Sequence, residues 1–412
     1  MKRRLLLLAL ALTTLSGCDS VFSSKSDPVT EEIFETGRNE PSLINEAEYV
    51  PLFPFFENGA NGAPLSNPTD VYVGYDELLY VTDDTGVHVL DISGRPAAHL
   101  PIEGGATSVV QDRRLRLYVT ARRDTTIAGR PWNLPVVIRY DGVATGAPHI
   151  GRILWHPFDD DSRRFNRPDP VATDEQVSFT GVAVLPDNHI YVARQGPVNE
   201  RASILFAHNI VLEFDEDGNN VQAIVSLSPT EESLVSSVWP TDIVSFVHPP
   251  QRSSFPATRH FILAQSGGPA GTRLRFSALS IRVVETPNGR EFQPDPAMIQ
   301  SAFREDVDAL YEEYRFGRVS DLAVAMDGTN YVFVLDSAEH RLNIFTSQGI
   351  EGVAPPPGSS SSLPVNVSFG EEGDGATQFS SPQGVAYFGR IVYVADTGNG
   401  RISRFRLNTD FE

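Results

Sequence analysis

The apolar positions of the chain fall into short runs interrupted by glycine, proline, asparagine and aspartate. The pattern is clearest near the C-terminal end, where apolar, β-branched and aromatic residues fill residues 384–388 and 391–395. Residues 401–407 then alternate between polar and apolar side chains. Such runs are typical of β-strands, and residues 396–400 supply the aspartate, glycine and asparagine that a tight turn needs. The pattern predicts a tight antiparallel meander.

This meander resembles the NHL repeat. Residues 379–405 read FSSPQGVAYFGRIVYVADTGNGRISRF, which matches nearly the whole family consensus. One departure is Gly400, where the family often has histidine. The resemblance implies that these residues form one blade of a β-propeller.

Similar units occur earlier in the chain. A close copy lies at residues 319–349, another at 67–94, and weaker copies at 104–141, 179–218 and 241–285. Their strand-entry positions are Asp70, Ser108, Gly181, Asp242, Asp321 and Gly384. We therefore predict an all-β fold, a six-bladed β-propeller over residues 48–412, with five or seven blades if one weak unit is miscounted. A fourth strand per blade is expected in the segment leading to the next unit, such as residues 364–370.

The last repeat ends too close to the C-terminus to supply its own fourth strand. Residues 49–56 (YVPLFPFF) stand where such a strand would precede the first repeat. We predict that they pair with residues 401–407 and close the ring, since an unpaired strand would leave an open sheet edge. Pro51 and Pro54 lack N–H donors and fit an outer strand.

Insertions should map mainly to one face of such a propeller. Loops between second and third strands, and loops that enter the next unit, lie on the same face. The insertions that fall there are residues 122–134, 156–178, 195–209, 266–277 and 295–317. Only residues 249–259 and 355–362 fall on the other face. We call the first the insertion face and predict that it binds a partner, although drift in loop length would give the same pattern.

Three entry positions carry aspartate. Because entry side chains point toward the axis, Asp70, Asp242 and Asp321 could converge on a hard cation such as Ca²⁺ or on another ligand at the channel mouth. The alternative, which the sequence favours, is that each aspartate caps its own turn. Asp83, Asp336 and Asp396 end second strands and are predicted to cap turns.

The NHL resemblance also implies an enzymatic alternative, because six-bladed relatives include metal-dependent lyases and lactonases with a site in the axial channel. The nine histidines show no close metal-ligand spacing. His189 and His340 are predicted to be turn or surface residues. The sequence contains no nucleophile elbow or phosphate-binding glycine loop in a strand–helix setting, so we assign no catalytic residue.

The first residues are a targeting segment. Lys2, Arg3 and Arg4 precede an apolar run over residues 5–12, and Leu-Ser-Gly-Cys ends at Cys18, the one cysteine of the chain. This resembles a bacterial lipobox, which implies cleavage after residue 17 and lipidation of Cys18; an ordinary signal peptide is the alternative. Asp19 resembles an inner-membrane retention signal. Residues 18–47 are polar and predicted to form a flexible tether.

The charge balance restricts the partners. The chain has 33 basic and 53 acidic residues, a formal net charge of −20. Such a surface repels nucleic acid and anionic headgroups, so membrane contact is expected through the lipid anchor alone. The sequence thus predicts a monomeric binding or scaffold propeller in the bacterial cell envelope, facing the periplasm. Its expected partner is a protein, peptide or glycan.

Overall fold

The computed structural model describes residues 47–157, 169–198, 208–224, 238–249, 258–269, 271, 273–287, 289–356, 359 and 362–410. The predicted signal segment (1–17), the lipidation site Cys18 and the predicted tether, except for Ala47, lie outside these described residues. One compact unit, Ala47–Pro355 with Ser361–Glu412, contains all the sheets. Among the described residues, no helix has the length and apolar character needed to span a membrane.

Strands dominate this unit. In chain order they are β1 (Tyr49–Pro51), β2 (Asp70–Val73), β3 (Leu78–Asp83), β4 (Gly86–Asp91), β5 (Pro96–Pro101), β6 (Ala106–Gln111), β7 (Leu117–Ile127), β8 (Arg130–Asp141), β9 (His149–Trp155), β10 (Ser178–Val184), β11 (Ile190–Gln195), β12 (Ile210–Phe214), β13 (Asn220–Ile224), β14 (Pro240–Ser245), β15 (Phe261–Gln265), β16 (Ala278–Thr286), β17 (Gly289–Pro294), β18 (Val319–Val324), β19 (Val332–Asp336), β20 (Arg341–Phe345), β21 (Gly384–Phe388), β22 (Ile391–Asp396) and β23 (Arg401–Leu407). Helix α1 is Pro296–Ala302.

These strands form six antiparallel sheets. Blades I to IV are β2–β5, β6–β9, β10–β13 and β14–β17; blade V is β18–β20, and blade VI is β21–β23 with β1. The innermost strands β2, β6, β10, β14, β18 and β21 contact one another in that order, and β21 returns to β2. The predicted six-bladed propeller is confirmed, and the five- and seven-bladed alternatives are excluded.

The N-terminal strand closes the ring as predicted. β1 pairs with β23 in antiparallel register, with Tyr49 opposite Leu407 and Pro51 opposite Phe405. Further along, Phe56 and Ile402 exchange two backbone hydrogen bonds of 2.8 and 3.0 Å. Because β1 is the outermost strand, the missing N–H of Pro51 costs no ladder bond.

Blade V departs from the prediction of a fourth strand at residues 364–370. These residues make isolated bridges instead, Val365 to Val353 and Phe369 to Leu342. Phe369 and Leu342 exchange backbone hydrogen bonds of 2.8 and 3.0 Å, so part of the outer edge of β20 is still covered. Phe345 also bridges to Glu351, so isolated bridges border the outer side of β20 in place of a fourth strand.

Hydroxyl groups join each blade to the next. In five blades a threonine or serine directly precedes the strand-entry position and donates to a carbonyl of the following blade. The donor and acceptor pairs are Thr69–Ala106, Thr107–Phe179, Thr180–Pro240, Thr241–Val319 and Ser320–Pro382. Blade VI has Gln383 there, and Thr397 instead donates to Pro68 of blade I at 2.6 Å. The inner ring is thus linked all the way round.

The apolar core lies between neighbouring sheets rather than on the axis. Phe333 of blade V stacks on Tyr387 of blade VI with centroids 5.1 Å apart. Phe379 and Phe405 are fully buried and pack edge to face at 5.7 Å. Each such side chain contributes on the order of 2–3 kcal/mol of burial energy. Because large side chains fill the spaces between blades, the axis is left for a narrow channel.

Candidate functional site

The inner strands bring Asp70, Asp242 and Asp321 to one cavity on the axis. Its volume is about 60 Å³, and valine and alanine side chains of the inner strands form most of its wall. A water molecule takes about 30 Å³, so the cavity holds no more than a few waters. The predicted convergence of the three aspartates is therefore seen, but in a space too small for an organic substrate.

Each of these carboxylates bonds across a blade boundary. Asp70 accepts from the backbone N–H of Val109 in blade II at 2.8 Å. In the same way Asp242 accepts from Leu322, and Asp321 from Val385. Asp70 also accepts from its own neighbour Val71 at 2.6 Å. The aspartates thus do more than cap their own turns, because they link consecutive inner strands.

The three carboxyl groups are protonated more readily than in water. Burial raises the pKa of Asp70 to about 7 and that of Asp242 to about 6. Burial, together with the nearby charges of Asp242 and Asp70, raises the pKa of Asp321 well above its usual range. Asp242 and Asp321 hydrogen-bond to each other, which requires one proton between them. We infer that the channel holds at least one carboxylic acid near neutral pH.

Asp321→Asn should therefore stabilise the protein at alkaline pH. The amide can still accept from Val385 and donate to Asp242, while it cannot ionise. A group whose folded pKa is raised contributes stability that is complete below its unfolded pKa and lost as pH rises through the folded value. Between about pH 6 and about pH 8, the free energy of unfolding of the wild type should fall by on the order of 2 kcal/mol relative to that of the variant. Urea unfolding in chelator-containing buffer at both pH values measures this difference.

The exposed Asp217→Asn serves as the matched control and should leave the pH dependence unchanged. Comparison with the wild type removes the opposite contribution of His248, whose pKa burial lowers to about 4. An Asp321→Asn protein less stable than the wild type at about pH 8 would contradict the shared proton.

Binding of Ca²⁺ by Asp70, Asp242 and Asp321 stays a prediction. Ca²⁺ needs six to eight oxygen ligands, and each of the three carboxylates already accepts a backbone N–H. If the ion binds, millimolar Ca²⁺ should raise the melting temperature of chelator-treated wild type and have no effect on Asp321→Asn. An equal response of both proteins would exclude these ligands.

The donor set of the channel does not fit a transition metal. Among the described residues that line it, His248 is the one histidine, and its Nε2 lies within hydrogen-bond distance of the carbonyl oxygen of Val324. A zinc centre takes three or four nitrogen, sulfur or carboxylate ligands around one point. The described walls supply carboxylates that are engaged with backbone N–H groups, so we derive no reaction step from them.

At the ends of second strands, Asp83 and Asp336 cap their own turns, as predicted, whereas Asp396 accepts no backbone N–H of its described turn. Asp336 accepts from Ala338 in its turn and from Gly317 and Arg318 in the segment that enters blade V. Asp83 and Asp396 likewise accept from the entering segments of blades I and VI. These residues fasten each blade to the chain that leads into it, which is a structural role.

Sequence reasoning missed a buried polar cluster on the insertion side of blade III. His156 follows β9, Asp174 lies in the 3-10 helix Asp174–Gln176, and His208 stands before β12. The Nε2 atoms of His156 and His208 lie 3.1 and 3.9 Å from the same Asp174 oxygen. Arg194, fully buried on β11, donates to the carbonyl of His208 at 3.1 Å and lies 3.4 Å from His156 Nδ1.

Hydrogen-bond donors around the two imidazoles determine which nitrogen carries hydrogen. The Arg194 guanidinium faces Nδ1 of His156, and the backbone N–H of Val198 faces Nδ1 of His208 at 3.3 Å. Both neighbours can only donate, so they favour an accepting Nδ1 in each ring; the Nε2 of His156 then donates to Asp174, whereas the Nε2 of His208, at 3.9 Å, is beyond hydrogen-bond distance of the same oxygen. Metal-bound histidines show the reverse arrangement, with their second nitrogen donating to an acceptor. We interpret His156, Asp174, His208 and Arg194 as a hydrogen-bonded joint, called here the blade III joint.

Two of the other insertions predicted on this face contain regular secondary structure, residues 122–134 and 295–317. Residues 122–134 were predicted as a loop, but they extend β7 and β8 into a paired hairpin that ends with Ile127 opposite Arg130. Helix α1 begins with Asp295 accepting from Ala297 N at 3.0 Å and Pro296 in the first turn. The helix ends at Ala302, and Leu310 and Tyr311 beyond it are also buried. Residues 199–207 and 158–168 lie outside the described residues.

The comparisons agree with the blade assignment. Residues 379–405 match the NHL repeat family, so blade VI is an NHL repeat. No curated protein matches the chain. Similar solved structures include an auxiliary nutrient binding protein from Bacteroides thetaiotaomicron (10% identity, TM-score 0.48, covering 88% of this chain and 73% of the other).

Two enzymes are also among the similar structures. A gluconolactonase from Xanthomonas campestris is 11% identical with a TM-score of 0.47, covering 90% of this chain and 93% of the other. Virginiamycin B lyase from Staphylococcus aureus is 10% identical with a TM-score of 0.43, covering 88% and 100%. Likeness at this level says nothing about the activity of this chain.

Proposed function

We propose that this chain, a six-bladed propeller whose last blade is an NHL repeat, binds a protein, peptide or glycan on its insertion face. The observation that carries the proposal is the contrast between the two candidate regions. The axial cavity has room for a few waters only, whereas the insertion face carries an ordered hairpin, helix α1 and the blade III joint. Surface loops held by a rigid scaffold are where propellers and other repeat folds present binding residues.

The blade III joint supports a binding role because it holds the bases of two insertions. The backbone N–H of His208 donates to the carbonyl of Val198 at 2.8 Å at the base of one loop. Asp174 holds the other segment through the N–H of Val171 at 2.7 Å. A loop with a fixed base has less conformational entropy to lose when it binds a partner, so the entropic cost of binding is smaller.

Capture of partners from membrane extracts tests whether they bind the insertion face. In one variant of the purified protein, residues 199–207 are replaced by a short Gly-Ser linker between Val198 and His208. The matched control shortens residues 250–257, which the sequence predicts on the opposite face. We expect the first variant to lose a partner that the wild type and the control retain. Equal capture by all three proteins would contradict binding on the insertion face.

We also propose that the protein is a bacterial lipoprotein anchored through Cys18 and facing the periplasm, at the inner membrane if Asp19 acts as a retention signal. The support is the run of Lys2, Arg3 and Arg4, the short apolar segment and the Leu-Ser-Gly-Cys motif. Cys18→Ser should move the protein from the membrane fraction to the soluble fraction. Mass spectrometry of the wild type should find an acylated Cys18, and an unmodified N-terminal peptide that retains residues 1–17 would refute the anchor.

A further inference from the structure

A groove lies between the β7–β8 hairpin and the segment that links blade I to blade II. Its volume is about 380 Å³, which is in the range of small-ligand sites. The side chains that line it include three isoleucines, an arginine, a tyrosine and a glutamate, namely Ile102, Ile138, Ile150, Arg123, Tyr140 and Glu103. Neither the axial cavity nor the blade III joint contains any of these residues.

The strand register places the lining residues of blade II on one face of the sheet. Arg123 of β7 pairs with Leu134 of β8, and paired residues share a face. Every second residue of β8 after Leu134 points the same way, which includes Ile138 and Tyr140. Ile150 of β9 pairs with Tyr140 and lies on this face as well.

This face is the one turned toward blade I. Ile138 and Tyr140 pack in the same apolar cluster as Ile102 of the linking segment. Asp124 and Asn133 alternate to the opposite face, where the Asn133 amide donates to Asp124 at 2.7 Å. Their side chains therefore take no part in the chemistry of the groove.

Two polar groups of the groove have no partner among the described residues. Tyr140 is 7% exposed, and its hydroxyl forms no hydrogen bond with a described residue. Arg123 is half-buried, and its guanidinium forms neither a hydrogen bond nor an ion pair within the same described part of the chain. Burial raises the pKa of Tyr140 and the charge of Arg123 opposes that rise, so the two side chains lie close enough to interact. Because buried polar groups nearly always have a partner, the Tyr140 hydroxyl indicates a ligand.

We propose that this groove binds a small ligand with one carboxylate and an apolar body. Arg123 pairs with the carboxylate, because a guanidinium presents two parallel N–H donors to the two oxygens. The hydroxyl of Tyr140 donates to an oxygen of the same ligand. Ile102, Ile138 and Ile150 contact the apolar body, and the ligand covers Ile150, which is 44% exposed. The inference rests on the proposed binding role of the insertion face and names a ligand class for it.

The charges of the groove favour this class over others. A cation would pair with the exposed Glu103 but would meet the unpaired positive charge of Arg123. A polyanion would be repelled by Glu103 and by a chain of net charge −20. A neutral ligand would give the guanidinium no charged acceptor. A single carboxylate matches Arg123, the one cation among the described lining residues.

Calorimetry on the purified protein tests the proposal and separates two sources of the carboxylate. Octanoate represents a fatty acid, and N-acetyldileucine represents the C-terminal end of a peptide. The amide of N-acetyldileucine is the neutral probe, and octylamine is the cationic probe. We expect at least one carboxylate to bind and the other two probes not to bind. Arg123→Gln should weaken the affinity for that carboxylate about tenfold, because a charge-assisted hydrogen bond is lost.

Two further variants make the result decisive. Tyr140→Phe keeps the buried ring and removes only the hydroxyl, so it should fold as the wild type does and bind the carboxylate more weakly. Arg95→Gln, at an exposed arginine of blade I outside the groove, should leave binding unchanged. The proposal is overturned if neither carboxylate binds at millimolar concentration, if the amide or octylamine binds as tightly, or if Arg123→Gln and Arg95→Gln bind alike. If the loop-dependent capture described above persists in any of these cases, only the assignment of this groove is wrong.

Discussion

Deleting residues 48–57 is expected to unfold the whole propeller rather than one blade. These residues supply the outer strand of blade VI, and their removal exposes the edge of β23. The lost bonds include Leu52 N–H to Arg404 O at 2.8 Å and the pair between Phe56 and Ile402. Tyr49 and Phe56 are also buried against the last blade. Because blade VI holds both ends of the ring, its loss releases blades I and V together.

The expected loss of unfolding free energy is the sum of the contributions of these contacts. Each backbone hydrogen bond contributes about 1 kcal/mol, and truncating a buried phenylalanine costs about 3–5 kcal/mol. The total is comparable to the 5–15 kcal/mol stability of an ordinary domain. Circular dichroism during heating should show no cooperative transition for the deletion variant.

Two point variants distinguish the buried contacts of this segment from its exposed residues. Phe56→Ala should destabilise strongly, because Phe56 is 6% exposed and lies under the Arg404 guanidinium at 4.2 Å. Phe53→Ala should leave the melting temperature unchanged, because Phe53 is 66% exposed. A deletion variant that melts with the wild-type transition would show that the ring does not depend on this closure.

Breaking the blade III joint should cost about 3–5 kcal/mol. Arg194→Met keeps much of the side-chain volume but removes a buried positive charge. The imidazole of His156 lies between that charge and the Asp174 carboxylate. The carboxylate is then left in a buried site with weaker compensation, and the carbonyl of His208 loses its donor. Urea unfolding of Arg194→Met and of Asp174→Asn should show similar losses, since each variant removes one charge of the same cluster.

An exposed ion pair provides the matched control. Arg304 Nη2 and Asp306 Oδ2 lie 2.7 Å apart on the surface, and Arg304→Met should leave the free energy of unfolding almost unchanged. A different outcome would revise the interpretation of the joint. If Zn²⁺ raises the melting temperature of the wild type but not of His208→Ala, then the cluster is a metal centre despite the donors around its imidazoles.

Position 194 shows how far the repeat pattern carries. In blades I, V and VI the second strand ends in Asp83, Asp336 and Asp396, and the repeat predicted their capping role. The register puts Arg194 at the same position of blade III, one residue after Ala193, which pairs with Gly181. There the polarity is reversed, because the strand end carries the cation and the entering segment carries Asp174. A repeat alignment finds the position but not its partner.

The threonine and serine residues that bond to the next blade are the opposite case, because their pattern is visible in the sequence. A hydroxyl residue directly precedes five of the six entry positions, as in Thr241 before Asp242. Its role is visible only in the register, where the pairing shifts between Pro240 and Asp242 and lets Thr241 reach blade V. The sequence shows the pattern, but the hydrogen bond that explains it is made to the neighbouring blade and is visible only in the structure.

The sequence by itself determined the fold class and the closing strand and favoured six blades, while the structure excluded five and seven. Strand alternation and turn residues are local properties, and a set of similar local units leaves a ring as the way to bury their faces. The tertiary structure alone decided that Asp70, Asp242 and Asp321 meet at one cavity and accept backbone N–H groups across blades. It also decided that His156, Asp174 and His208 meet, and that Arg123 and Ile102 border one groove. Those contacts join residues from different blades and insertions, and their distances depend on packing rather than on spacing along the chain.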